Sequence, residues 1–161
     1  MRAFGLSALV AFLIDQISKY VVIHMWGLRA GNPMDVLPPW LNFIYGENCG
    51  INFGLFGECS EASRWILIGL AVVICGAVTI WLYRSQQGWL AHVSAGLLVG
   101  GALANVLDRL AYGYVLDFLN NSLPGWNNPF VYNIADIFVF AGAIGLIFFA
   151  KDQKPAPKKR Q

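Results

Sequence analysis

Four apolar stretches, at residues 4–25, 62–83, 89–110 and 134–150, constrain this chain more than any other feature. A helix needs about 20 apolar residues to cross a bilayer. The first three stretches are long enough, and the fourth is short unless it begins near Phe130. Only 12% of the 161 residues are charged and 57% are hydrophobic, too apolar a balance for a soluble domain of this size. The polar segments are too small to hold a core of their own. The expected fold is therefore an all-α membrane protein with four transmembrane helices and a small β-like loop platform on the outer surface. Residues 1–150 make a single four-helix membrane domain, and 151–161 make a basic cytoplasmic tail.

The first stretch follows Arg2, as a signal peptide would, but it is longer than a typical signal core. It carries Asp15 and Lys19 and lacks a small-x-small cleavage site, so it is expected to be retained. Lys and Arg set the orientation. In a four-span arrangement Arg2, Arg84, Lys151, Lys154, Lys158, Lys159 and Arg160 fall on one side, and Arg29, Arg64 and Arg109 on the other. Both termini are then cytoplasmic, and the segments 26–61 and 111–132 face outward. The basic tail reads as a topology signal rather than a nucleic-acid binding element, and no nucleic-acid partner is expected.

Cys49 and Cys59 fall in the first outer loop and Cys75 inside a span. An oxidising compartment would permit a Cys49–Cys59 disulfide, although a pair of cysteines alone is weak evidence for one. No spacing matches a zinc site, so neither a metal nor another cofactor is expected. His24 and His92 sit near segment ends and read as interfacial packing. Gly96, Gly100 and Ala104, at four-residue spacing, let helices approach closely. In the outer loop, turns at Gly31-Asn-Pro and Pro38-Pro39 precede a strand-like Leu41-Asn-Phe-Ile-Tyr. An apolar run containing Phe53, Leu55 and Phe56 follows.

Against this background the polar residues stand out. Carboxylates near hydrocarbon are costly and usually functional. Asp15 and Lys19, four apart, suit a helical ion pair. Asn105, Asp108 and Arg109 share one face of the third helix by the same spacing. Asp117 lies just beyond that helix, and Asp136 at the mouth of the fourth. With the orientation above, all these groups converge near the outer boundary. Each also has a plainer reading: Asn133 and Asp136 as a helix cap, Asp108–Arg109 as a helix-end pair, Asp15–Lys19 as a lock between helices, and Asp117 as a solvated loop residue. None of these explains why the groups cluster. Two carboxylates that can meet, Asp117 and Asp136, suggest acid/base chemistry on a shared proton.

The blocks Asp15-Gln-Ile-Ser-Lys19, Asn48-Cys-Gly50 with Phe53, Gly100-Gly-Ala-Leu-Ala-Asn105-Val-Leu-Asp108-Arg109, Gly113-Tyr-Val-Leu-Asp117-Phe118 and Asn133-Ile-Ala-Asp136 occur in this order. Together they resemble the lipoprotein signal peptidases, also called signal peptidase II, of bacterial inner membranes. The resemblance runs from the first span to the fourth. Ile51 and Asn52 depart from it, standing where the family usually carries small residues.

The resemblance implies an aspartic endopeptidase of the inner membrane, multi-pass, with its active site at the periplasmic face. Its substrates would be diacylglyceryl-modified prolipoproteins, cut before the lipidated cysteine, and its surroundings membrane lipids. Asp117 and Asp136 would be catalytic. Asp15, Lys19, Asn48, Gly50, Asn105, Asp108, Arg109 and Asn133 would support the site or bind substrate, with Arg109 compensating carboxylate charge such as that of Asp108. A monomer is expected. The competing class is a small proton-coupled membrane transporter, whose relay would need charges at several depths.

Overall fold

The computed structural model of the chain describes residues 1–50 and 59–150. Ile51, Asn52, Phe53, Leu55, Phe56 and the basic tail at 151–161 lie outside the described residues.

Among the described residues, four helices carry the fold. α1 spans Arg2–Lys19 and continues as a wider π-wound turn over Tyr20–Met25. α2 spans Glu61–Arg84, α3 Trp89–Tyr112 and α4 Ile134–Phe149. Three are long and apolar enough to cross a membrane: Arg2–Met25, Glu61–Arg84 and Trp89–Tyr112. The fourth is a shorter apolar helix of 16 residues, about 24 Å at the usual rise against a hydrocarbon core of about 30 Å. Four full-length spans are thus not what the helix lengths display.

α3 is the hub, with α1, α2 and α4 all packed on it. Its small residues explain how. A Cβ at Gly100 would drive into the backbone of Ala8 on α1, and one at Gly96 would meet Ser7 and the carbonyl of Phe4. On the other flank a Cβ at Gly101 would stand 2.5 Å from the carbonyl of Ala135 on α4. The stripe of small residues is therefore spent on helix packing, as its spacing suggests.

At one end of the bundle sits a three-stranded antiparallel sheet of β1 (Met34–Leu37), β2 (Leu41–Asn48) and β3 (Val115–Asn120), in that order. The strand-like segment at Leu41 is the start of β2. β3 is a departure from the sequence expectation, which has Asp117 in the outer segment connecting the third and fourth helices. It is buried along nearly its whole length and reads as a short apolar run rather than an alternating one, so periodicity does not reveal it. Val22, Leu28, Phe43 and Phe118 form the core between sheet and helices, with Phe118 edge-on to Phe43 at 5.4 Å. Arg64 Nη2 donates to the Leu110 carbonyl at 2.9 Å, tying the start of α2 to the end of α3 beside the sheet.

Candidate active site

α3 ends abruptly at Gly113, whose φ of 91° is left-handed and whose N–H bonds back to Arg109 O. Such a cap suits glycine, which has no Cβ to clash. The chain reverses there and enters β3, so Asp117 is delivered beside the helix it has just left. Asp117 pairs across the sheet with Gly46 of β2. Gly46 carries no side chain, and a Cβ there would stand 3.6 Å from the Asp117 Cβ, so the carboxyl stays open to the cavity above it.

Asp136 arrives by a different device. Asn133 caps α4, its Oδ1 accepting from Asp136 N at 2.9 Å, while Asp136 Oδ2 accepts from Asn133 N at 3.3 Å. This reciprocal capping box fixes the Asp136 side chain within the first turn. The cap reading of these two residues is therefore what the structure displays, and the same box sets where the Asp136 carboxyl stands.

Two asparagines bridge the aspartates. Asn133 Nδ2 donates to Asp117 Oδ1 at 2.6 Å and to Asn105 Oδ1 at 3.1 Å. Asn105 Nδ2 donates to Asp136 Oδ1 at 3.0 Å. From β2, Asn48 Nδ2 donates to Asp117 Oδ2 at 3.0 Å, and Gly50 N donates to Asn48 Oδ1 at 2.9 Å. The result is a ring of hydrogen bonds through Asn133, Asn105 and Asp136, extended from Asn133 to Asp117 on β3 and on to Asn48 on β2. Asp117 is 2% exposed and Asn133 is fully buried, whereas Asp136 is half-buried.

Burial raises the Asp117 pKa, and the nearby Asp136 charge raises it further; the bonds from Asn48 and Asn133 and the charge of Lys19 oppose them. The outcome is a carboxyl pushed up to about 7. Desolvation disfavours the charged form, and a second carboxylate adds repulsion. Asp117 therefore exchanges its proton near neutrality.

Behind the pair lies a second polar cluster. Lys19 Nζ meets Asp15 Oδ2 at 2.7 Å and Asp108 Oδ2 at 2.6 Å, and all three residues are buried. Gln16 Nε2 donates to Asp108 Oδ1 at 2.8 Å. The carboxylates also hold backbone. Asp108 Oδ2 accepts from Leu116 N at 3.1 Å, and Asp15 Oδ1 from Ala135 N at 2.8 Å. Leu116 immediately precedes Asp117, and Ala135 immediately precedes Asp136. One buried lysine thus joins the two carboxylates that grip the chain just ahead of each aspartate. The expected pairing of Asp108 with Arg109 is replaced by this one. Arg109 Nη1 reaches Asn105 O at 3.4 Å, its Nε has no hydrogen-bond partner among the described residues, and the carboxylate acting on it most strongly is Asp136.

Asp117 opens into a cavity of about 610 Å³, with Asn48, Gly50, Phe130 and Val131 among its walls. Sequence reasoning missed what holds that wall. Buried Asn120, three residues past Asp117, donates to the carbonyls of Asn128 and Phe130 at 2.8 and 2.9 Å. Ser122 Oγ donates to Asn120 Oδ1 at 2.9 Å and accepts from Asn128 N at 3.1 Å. An asparagine near a turn carries no signal for such a role. Gln16 was more legible, being a polar residue within an apolar helix between Asp15 and Lys19.

Comparison with known proteins places the arrangement in context. A family profile described as Signal peptidase (SPase) II matches residues 7–151. A lipoprotein signal peptidase of Methylobacterium sp. (strain 4-46) is 38% identical over 144 residues, covering 89% of this chain and 86% of that protein. One from Methylorubrum extorquens (strain PA1) is 37% identical over 161 residues, covering 98% and 91%. Among solved structures, a bacterial membrane enzyme determined by the in meso method at 1.9 Å resolution superposes with a TM-score of 0.80. It is 25% identical, and 92% of each chain is covered.

Proposed function

The chain belongs to the signal peptidase (SPase) II family, and on that premise we propose that Asp117 and Asp136 are the catalytic pair of an aspartic endopeptidase. The protein is a membrane protein that removes signal peptides from lipoproteins. The observation that carries the aspartic mechanism is the bridged pair itself, one member buried with a raised pKa and the other at a helix N-terminus.

No nucleophile from the protein is needed. Asp136, as the carboxylate, takes a proton from water, and the water oxygen attacks the scissile carbonyl carbon. Asp117, as the acid, gives its proton to the carbonyl oxygen. The tetrahedral intermediate collapses when Asp117 takes that proton back and Asp136 passes its own to the leaving nitrogen. Both groups end as they began. Donors aimed at developing charge are the largest contribution in many such sites, and general acid and base transfer add about 10² to 10⁴ in rate. Asn133, Asn105 and Asn48 keep the two carboxyls oriented, and Arg109 balances their charge.

The substrate is a prolipoprotein whose cysteine already bears diacylglycerol, cut on the amino side of that cysteine. Exposed apolar side chains along α2, such as Leu70, Val73 and Ile80, suit lipid surroundings. The site end of the bundle faces outward, both termini face the cytoplasm, and α4 completes a fourth crossing in a locally thinned or tilted arrangement. The protein acts as a monomer in this proposal, with residues 1–150 as the peptidase unit.

A transporter is not favoured. The buried carboxylates among the described residues gather at one end of the bundle, leaving no relay at other depths. Purified protein should cleave a diacylglyceryl-modified prolipoprotein at least about tenfold faster than the same precursor without lipid, the scale of a few buried methylenes. Equal rates would remove lipid recognition from the proposal.

A further inference from the structure

One wall of the cavity has chemistry that peptide cleavage does not use. Cys49 and Cys59 are joined by a disulfide, and both line the cavity into which Asp117 opens. We infer that this bond is a positioning element for the catalytic pair: it ties the end of β2 to the start of α2 and so holds Asn48 against Asp117. The inference rests on the proposed roles of Asp117 and Asp136.

Asn48 is the last residue of β2, is exposed, and pairs with Val115 at the end of the ladder. Strand ends fray, and exposed backbone bonds open most easily. Two attachments to α2 counter this at the very next residue. Cys49 is bonded to Cys59, which directly precedes the α2 cap Ser60. The Cys49 carbonyl also accepts from Ser63 Oγ, in the first turn of α2, at 3.3 Å. Cys59 has a φ of 54°, the only positive value for a non-glycine among the described residues. A residue held in that region is over-determined by its surroundings, and the crosslink supplies the constraint. With Cys49 anchored, Gly50 N sets the Asn48 amide so that its Nδ2 faces Asp117.

Reduction delivers two electrons to the sulfur–sulfur bond and two protons to the resulting thiolates. A trialkylphosphine can supply the electrons, taking an oxygen from water to become the phosphine oxide while that water's two protons reach the sulfurs. Among the described residues, the tether of Cys49 to α2 then rests on the Ser63 hydroxyl. Asp117 loses a donor that favours its carboxylate, so its pKa rises. The other charged groups acting on it stay in place: Asp136 from α4, Lys19 from α1 and Arg109 from α3, with Glu47 on the cavity wall. The new thiols lie on the same cavity wall as Asp117.

The test uses the purified full-length enzyme in detergent. Before treatment a denatured sample should yield one reactive thiol, Cys75, and after tris(2-carboxyethyl)phosphine three. On reduction the alkaline limb of kcat/KM should move up by about one pH unit, the size of one lost charge-assisted hydrogen bond. kcat/KM at neutral pH should fall about tenfold, as expected for a loosened catalytic group. A Cys49→Ser/Cys59→Ser double variant should reproduce the reduced profile and ignore the phosphine, while Cys75→Ser should respond as the unaltered enzyme does. Three reactive thiols before treatment, or a pH profile unmoved by reduction, would overturn the inference. An Asp117→Asn variant run beside them separates the two readings. Full cleavage by that variant removes the catalytic role of Asp117, whereas an inactive variant beside an unmoved wild-type profile removes only the role of the disulfide.

Discussion

Asp117 accepts one amide donor on each oxygen and still holds its proton to about pH 7, because burial and Asp136 outweigh those bonds. The sign of the pH effect follows. Its folded pKa lies above the unfolded value near 3.8, so its contribution to stability is complete below about pH 4 and is lost as pH rises through about 7. Activity that needs Asp117 as the acid should decline over the same alkaline limb. In Asn48→Ala that limb should move to higher pH, and a downward move in the measured profile would show that the Asn48 bond does not favour the carboxylate. Asn133→Ala removes the bridge to Asp117 and the cap of α4 together. It should cost about 1 kcal/mol of stability and, by misaligning both carboxyls, about 100-fold in kcat. A thermal scan and initial rates check both halves. The two aspartates were legible because carboxylates beside apolar segments are conspicuous. Asn133 was legible as a cap, but its second bond, across to Asp117, depends on where β3 returns, which local sequence does not state.

At the scale of elements, the Asp15–Lys19–Asp108 cluster orients what the helices carry. It links α1 and α3 directly, and through Leu116 N and Ala135 N it fixes β3 and the start of α4. Replacing Lys19 with Met leaves two buried carboxylates side by side. Breaking a buried pair from one side costs about 3–5 kcal/mol, so Lys19→Met should unfold at markedly lower temperature in detergent; an unchanged Tm would mean the cluster is not structural. The i, i+4 spacing announced the Asp15–Lys19 half. The Asp108 half was assigned to Arg109, its neighbour in sequence, because adjacency is visible in a chain and the facing helix is not. The same reason explains β3. Its neighbours in the sheet lie about 70 residues earlier in the chain, as the pairing of Asp117 with Gly46 shows, and a buried strand of six residues has no period of its own. The helices were legible from apolar length alone, the shortness of α4 included, since it begins at Ile134 and not near Phe130.

For the whole molecule, the account requires the sheet and the catalytic pair at the outer face. The exposed turn at Gly125 is the place for an outer label, with exposed Gln86 between α2 and α3 as the inner one. In a background with Cys49, Cys59 and Cys75 replaced, a single cysteine at Gly125 should react with an impermeant thiol reagent in spheroplasts and one at Gln86 should not. Reaction at Gln86 alone would invert the orientation. The central claim is that the bridged aspartates perform the cleavage, and the most direct measurement is the rate of signal-peptide release from a diacylglyceryl-modified prolipoprotein by purified Asp117→Asn and Asp136→Asn. Each substitution keeps the size and hydrogen-bonding shape of the side chain but removes the ionisable group. Each variant should remain folded and lose at least about 10³-fold in kcat, a general acid–base contribution of the expected size; cleavage at the unaltered rate by either folded variant would contradict the account.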